Sequence, residues 1–560
     1  MIKFSKKINE VVCKLSSNRS FILFLFILSI FVLIITSVYV GYKSSNVHFF
    51  NHDQVVEAYL FENKNTFKDA LFPTNHTQLI KWPLFLLIAT FGNTKTALAI
   101  ATILMYLSIA IGIAILIYLA SNKNKLISSV IILGLSNILL LTPIQPILGV
   151  LLPVNMAMIT TRNVEFLPFF VLLYFLSTTQ KLTSLLGLYS VIILILLGAS
   201  DKIFLYLILL SAISLLLIER YFYRKKQLNF TPLLISVISF VCAPLLLSII
   251  NALKITGIPT TTSLSPYAFV SSIKMLFAGI AGAIQGTFIN FGINIFGKPL
   301  TPTIMLVNGI NLGLLLFSFI AIFKFCKILF NEKSSKEFHS VRFKFITWLV
   351  LCATTSVLIF IISDHDYLVD ARYIIFVLFA GIITLAYMIE KYKLLSSTTL
   401  VIIYIFIILI IPLSTYKFKL EANTSLIATK NNFGNNQLEA SKILLDSGVK
   451  VLVGDYWFSS PIRNITDNRV TVVQMSINTC DVPNSYLTST AWRIPSENVE
   501  KSALYVMRDS PGAQTFNHGC TLQQLKQKYG VNPVTKILEG TENNPSSFIW
   551  IYNYDIRTKL

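Results

Sequence analysis

His52, Asp53 and Glu57 stand close together about a dozen residues after the first long apolar block, in and just after the run Asn51-His-Asp-Gln54. A carboxylate at Asp53 could take the proton from an attacking hydroxyl, the work of a general base. Glu57 follows one helical turn later and would share its face if this stretch is helical, with His52 beside the pair. The same residues also fit a helix start, Asn51 capping it and the two carboxylates complementing its dipole.

A second set is cationic. His76 ends Phe72-Pro-Thr-Asn-His76, Lys81 and Trp82 lie in Leu79-Ile-Lys-Trp-Pro83, Arg162 precedes Glu165, and Arg372-Tyr373 follows Asp364, Asp366 and Asp370. Such cations could hold a phosphate group, His76 only when protonated, since an unperturbed imidazole is mostly neutral at pH 7. Each has a plainer reading. Lys81 would snorkel to lipid headgroups, Trp82 would sit in an interfacial aromatic belt, Arg162 would pair with Glu165, and Arg372 with Asp366 or Asp370. Asp201, beside Lys202 in a very short turn, belongs to the set or caps the next helix.

These residues must be positioned by membrane helices. Hydrophobic residues make up 54% of the 560 and charged residues 13%, about half the usual charged fraction, which excludes a water-soluble globule. The apolar residues run in blocks such as Phe21 to Val40, and twenty helical residues rise about 30 Å, the thickness of the hydrocarbon core. The patterning predicts a mainly α, polytopic transmembrane bundle over residues 1–414. About eleven spans are expected, near 21–40, 97–120, 126–141, 165–180, 184–199, 203–218, 229–250, 303–323, 345–362, 373–389 and 398–414. No small-residue cleavage site follows Val40, so the first span is expected to remain as an anchor.

The net charge of +20 is a topology signal rather than a nucleic-acid surface. With a cytoplasmic N-terminus behind Lys3, Lys6, Lys7, Lys14 and Arg19, the cytoplasmic stretches hold about 20 Lys/Arg in about 69 residues and the outer loops about 11 in about 144. That is the positive-inside bias. All the clusters above then fall at the outer face, most of them in a large first outer loop, 41–95.

An odd number of spans leaves residues 415–560 outside, as an extracytoplasmic soluble α/β domain. Lys450–Asp455 and Val470–Gln474 read as strands, and Leu438–Ser447 and Leu522–Lys528 as helices. Tyr456 and Trp457 could stack on a sugar or fill a core. Cys480 and Cys520 are the two cysteines of this region; an oxidising compartment would favour a disulfide between them. No Cys or His spacing suggests a zinc site.

The order and sidedness of four segments resemble the C-type (GT-C) membrane glycosyltransferases, in particular family-39-like bacterial members. They are His52-Asp53-Gln54, the stretch His76 to Pro83, Arg372-Tyr373 opening a late span, and Gly454-Asp-Tyr-Trp457 followed by Asn464-Ile-Thr-Asp467-Asn-Arg-Val470. The chain departs from the pattern in having His-Asp where many members carry an adjacent acidic pair, and Asp364-His-Asp366 matches no family motif. The resemblance implies transfer of a hexose from a polyprenyl-phosphate donor to a hydroxyl of a glycan, lipid or protein acceptor at the outer face of a bacterial plasma membrane. It implies Asp53 as base, Arg372 with Lys81, His76 or Arg162 on the donor phosphate, and Tyr456 and Trp457 on the acceptor. Asp201, Asp364, Asp366 and Tyr373 are further candidates. No nucleotide and no certain cofactor is implied, and the departures leave use of a divalent metal open.

Two other classes compete. A transporter or flippase of lipid-linked sugars would place ionisable residues near the bilayer midplane and show an internal repeat; the spans here are nearly free of charge and no repeat is seen. An O-antigen ligase or polymerase would concentrate its outer mass between late spans rather than at the C-terminus. A receptor would need a cytoplasmic output module, and the longest cytoplasmic loop is about 22 residues.

Overall fold

The computed structural model describes residues 17–50, 59–72, 77–92, 94–142, 146–147, 150–151, 163–179, 181–223, 228–258, 268–293, 295, 301–331, 340–364, 369–475, 488–507, 522–530, 533–538 and 547–560. The apolar blocks fold as helices because lipid offers no partner to a free backbone group, and a helix satisfies its own. In chain order they are α1 (Arg19–His48), α2 (Trp82–Thr90), α3 (Lys95–Ala120), α4 (Lys125–Leu141), α5 (Phe166–Thr178), α6 (Leu185–Ser200) and α7 (Ile203–Tyr221). Then come α8 (Thr231–Ala252), α9 (Ile273–Asn290), α10 (Pro302–Leu329), α11 (Val341–Ile362), α12 (Phe376–Tyr392) and α13 (Ser397–Thr429). Side-chain caps mark many starts: Asn18 accepts from Ser20 and Phe21, Asn124 from Leu126 and Ile127, and Ser396 from Thr399.

Nine helices among the described residues are long and apolar enough to cross a membrane: α1, α3 and α7 to α13. Three of the expected spans are shorter apolar helices, α4, α5 and α6, of 17, 13 and 16 residues. One of the nine, α9, lies where no span was expected.

Contacts between helix ends sort the bundle into two faces. On the face that carries the start of α1, Tyr404 Oη donates to Leu25 O at 3.1 Å, Phe26 packs on Tyr118, and Asn229 Nδ2 donates to Thr179 O at 3.3 Å. There Tyr223 Oη also donates to Leu329 O at 2.6 Å, and Arg342 pairs with Glu390 at 3.5 Å. On the opposite face Gly41 lies against Ile103, Tyr39 against Phe418, and Phe166 and Phe204 against Phe376. Successive helices therefore run up and down, with the short α2 and α9 the exceptions. Val270 N, just before α9, donates to Ile362 O at 2.9 Å, at the end of α11. Just after α9, Asn311 Nδ2 donates to Gly292 O at 3.4 Å, beside Ile138 near the end of α4. Both ends of α9 thus adjoin the opposite face.

The centre of the bundle is α4 and α12, buried from Leu126 to Leu141 and from Phe376 to Ile389. Polar atoms there are spent on one another. Ser414 Oγ donates to Asn137 Oδ1 at 2.6 Å, and Asn137 Nδ2 donates to Asn311 Oδ1 at 2.8 Å. A Cβ on Gly292, whose φ is +69°, would stand 2.7 Å from Ile138 O, so this corner needs glycine for both space and conformation.

Beyond residue 414 the chain stays helical: α13 continues to Thr429, and a π-turn at Lys430–Gly434 leads into α14 (Asn435–Asp446). A five-stranded sheet follows, with β1 (Val451–Asp455), β2 (Thr471–Met475), β3 (Ser502–Met507), β4 (Val534–Leu538) and β5 (Ser547–Tyr552) in the order β4-β5-β3-β1-β2. β1 is parallel to β2 and β3, and β5 is antiparallel to β3 and β4. Helix α15 (Tyr456–Ile465) connects β1 to β2, and α16 (Leu522–Tyr529) precedes β4. Strand alternation gives each face its own core. Leu452, Val472, Ala503 and Ile549 meet Leu444, Phe458 and Ile462 on one side. Val451, Val453, Leu504 and Trp550 join the core that continues into the helices.

Candidate functional site

The first loop reaches the bundle through Thr77 to Trp82. Thr77 Oγ1 donates to Ala199 O at 2.6 Å and Gln78 N to Ser200 O at 3.2 Å, so the loop is tied to the end of α6. Gln78 takes a left-handed conformation, φ +55°, which turns the chain into the short helical turn Leu79–Lys81; Trp82 then opens α2, with Pro83 in its first turn. This geometry carries Lys81 inward. Its side chain and that of Glu165 are both fully buried, with Nζ 3.6 Å from Oε2, and Ser200 Oγ donates to Glu165 Oε1 at 3.1 Å. Glu165, read from the sequence as a partner of Arg162, thus has Lys81 as a partner, and Lys81 is an internal counter-ion rather than a headgroup-facing cation.

Trp82 is no belt residue. Its Nε1 donates to Thr77 O at 3.0 Å, and its ring packs on Phe61, Phe67 and Phe72 at centroid distances of 6.2, 5.4 and 5.2 Å. Asp201 is 2% exposed. Its Oδ1 accepts from Ile203 N at 3.0 Å, so it does cap the start of α7 while lying next to Ser200. Burial pushes the neighbouring Lys202 ammonium below its ordinary value.

Arg372 and Tyr373 belong to the helical turn Val369–Ile374 that leads into α12. Both are half-buried, Arg372 Nη2 donates to Tyr373 Oη at 3.4 Å, and the guanidinium lies 5.2 Å from that ring. One turn on, Phe376 packs on Phe166, Phe169 and Phe204 at 5.6, 5.2 and 6.5 Å. Phe166 follows Glu165 directly and Phe204 lies three residues beyond Asp201. Arg372 therefore stands at the same end of the bundle as the Lys81–Glu165 pair. The backbone of Asp364 pairs with Ala268, joining the end of α11 to the approach to α9.

The C-terminal sheet meets the same end through the first loop. Ala70 and Leu71 form a two-residue antiparallel ladder with Ser489 and Thr488, Ser489 Oγ donates to Thr66 O at 2.9 Å, and Thr490 N donates to Asp69 O at 3.0 Å. On its other side Ala70 O accepts from Gly257 N and Thr256 Oγ1, both at 2.8 Å, after α8. The loop is thus held between bundle and sheet. The backbone of Tyr456 and Trp457 opens α15 directly after β1.

His52, Asp53, Glu57, His76, Arg162, Asp366, Cys480 and Cys520 lie outside the described residues. Among the described residues no three His, Cys, Asp or Glu side chains gather to hold a metal ion. Ser200, Arg463 and Trp492 were not singled out from the sequence, because each depends on partners far away along the chain. No protein-family model matches this sequence, and no curated protein matches it.

Proposed function

We propose that the protein is a polytopic membrane glycosyltransferase that moves a sugar from a polyprenyl phosphate to a hydroxyl of an extracytoplasmic glycan, lipid or protein. The observation that carries this reading is convergence. The first loop, the Glu165 end of α5, the Ser200–Asp201 turn and the Arg372 end of α12 meet at one end of an apolar bundle, beneath a folded sheet. Buried charge at a bundle end marks function more often than stability. In this reading eleven helices cross a bacterial plasma membrane, the N-terminus is cytoplasmic, and the sheet is outside.

Asp53 removes the proton of the acceptor hydroxyl as its oxygen attacks the anomeric carbon from the face opposite the phosphate. The bond from that carbon to the phosphate oxygen breaks, the configuration inverts, and polyprenyl phosphate leaves with its negative charge. Arg372 stabilises that charge as it develops. No nucleotide is required. The test uses purified protein in lipid with radiolabelled polyprenyl-phosphate hexoses and a pool of glycan acceptors. Release of polyprenyl phosphate, abolished in Asp53→Asn while donor still binds, with donor binding lost in Arg372→Ala, is the expected result. Donor that is bound, or moved across the bilayer, yet never cleaved would overturn the reading in favour of a transporter.

A further inference from the structure

The first loop and the C-terminal sheet share one charged side chain whose every described contact crosses or lines their seam. Arg463, in α15, is 5% exposed. Its Nη2 donates to Glu62 Oε2 in an ion pair, and its guanidinium lies 4.4 Å from the ring centre of Tyr59 and 5.0 Å from that of Trp492. Its Nε donates to Asn468 Oδ1 at 3.4 Å, and Asn468 Nδ2 in turn donates to Gly92 O at 3.1 Å, beyond the end of α2. Tyr59 Oη donates to Asn464 Oδ1 at 3.4 Å. Burial holds the Tyr59 phenol well above its ordinary titration range, with Arg463 acting the other way, so it remains a donor. Behind Trp492 the chain end completes the support: Arg557 Nη1 donates to Trp492 O at 3.1 Å, and Arg557 is itself held by Asp555 at 2.7 Å.

A guanidinium sandwiched between two rings and paired with a carboxylate is directional in a way an ammonium is not. We infer that Arg463 is a positioning residue: it clamps Tyr59 and Glu62 of the first loop onto the sheet, and so fixes where the described part of that loop is held against the end of the bundle. The inference rests on the transferase reading for its consequence in catalysis but not for the clamp itself. It makes the C-terminal sheet a working part of the site and not a tethered accessory. The rival is direct contact with substrate, since Arg463 Nη1 is buried without a hydrogen-bond partner among the described residues.

Two measurements on the full-length protein in lipid separate these. In hydrogen exchange, Arg463→Ala and Arg463→Lys should both lose protection over residues 59–72, with the bundle unchanged; unchanged protection of 59–72 overturns the clamp whatever the protein's activity. In the transfer assay Arg463→Ala should lower turnover by about 10²-fold, the effect expected when a reacting group is displaced by about 1 Å. The cross-strand partners Ala70 and Ser489 then supply the rescue. A disulfide between Ala70→Cys and Ser489→Cys, whose spacing across an antiparallel pair suits the bond, should restore turnover to Arg463→Ala when oxidised and not when reduced. Restored protection without restored turnover would overturn positioning and make Arg463 a substrate contact. Absence of transfer in the otherwise unaltered protein would remove the transferase reading and leave the clamp to stand or fall on exchange alone.

Discussion

Removing one member of the Lys81–Glu165 pair should be far more damaging than removing both. At 3.6 Å two unit charges attract by about 4–5 kcal/mol at an effective dielectric constant near ~20. Desolvating each ion costs several kcal/mol, so the intact pair is close to break-even against apolar side chains, whereas a single buried charge left behind costs about 3–5 kcal/mol. Lys81→Met leaves Glu165 charged and buried, with Ser200 as its remaining side-chain partner among the described residues. Glu165→Gln removes the carboxylate that stands 3.6 Å from the buried ammonium. In Lys81→Met combined with Glu165→Gln the charge problem disappears, and the amide can still accept from Ser200. Reversible unfolding in mixed micelles, followed by tryptophan fluorescence, should place both single variants at least about 2 kcal/mol below the additive expectation set by the double. The double variant should also keep labelled polyprenyl phosphate binding within a few-fold if the role of Lys81 is to balance the buried Glu165. Additive losses would refute the buried pair. A near-native double variant that no longer binds the lipid would return Lys81 to the phosphate.

Helix α9 should not carry the chain across the bilayer. With native cysteines replaced, Ile273→Cys and Ile295→Cys should both react with an impermeant maleimide from the side that labels Asp69→Cys, and labelling of the two from opposite sides would contradict the end contacts. The chain end should be acid-sensitive. Burial alone would raise the Asp555 carboxyl, but bonds from Arg557 and from the Ser496 and Arg557 backbone N–H groups outweigh it and hold its pKa below the ordinary value. A depressed carboxyl contributes stability above its unfolded pKa of about 3.9 and loses it as pH falls through the folded value. Exchange protection of residues 547–560 should therefore collapse below about pH 4. Asp555→Asn, which strands Arg557, should cost about 3 kcal/mol at neutral pH and flatten that acid dependence; an unchanged acid profile would refute the assignment.

Long apolar blocks were readable as helices because in lipid the backbone has almost no other way to satisfy itself. The runs Lys450–Asp455 and Val470–Gln474 were readable as strands because β-branched residues bounded by turn formers rarely do anything else in water; the strands are Val451–Asp455 and Thr471–Met475. Helix α9 was missed for a physical reason. Lys274, Gln285 and Asn290, together with Gly279, Gly282 and Gly286, break up its apolar run. Those small residues are what lets it approach α11, where a Cβ on Gly279 would come within 2.6 Å of Ile361 O. Their spacing, small residues three and four apart in an apolar run, was the available signal. Trp82 was misplaced because an aromatic beside a lysine at a membrane edge usually faces lipid, and only the fold brings Phe61, Phe67 and Phe72 onto it. Arg463 and Glu62 are 401 positions apart, and no local pattern links them.

The parity of the chain and the clamp support each other. If α9 crossed the membrane, every later helix would invert, and the five-stranded sheet would emerge on the face that carries the start of α1. Glu62, in the loop between α1 and α2, could then never reach Arg463, nor could Ala70 pair with Ser489. In the proposed eleven-span reading the contacts that close the seam call for an even number of crossings between α1 and the end of α13, which α3 to α8 together with α10 to α13 supply when α9 returns to the face it left. Gly292 stands at the turn after α9. Its left-handed conformation turns the chain beside Ile138, and its carbonyl is received by Asn311. In the proposed transferase, the corner made by Gly292, Asn311 and Asn137 lies where α9 would turn back toward the face that carries the sheet, far along the chain from any residue proposed to touch the sugar.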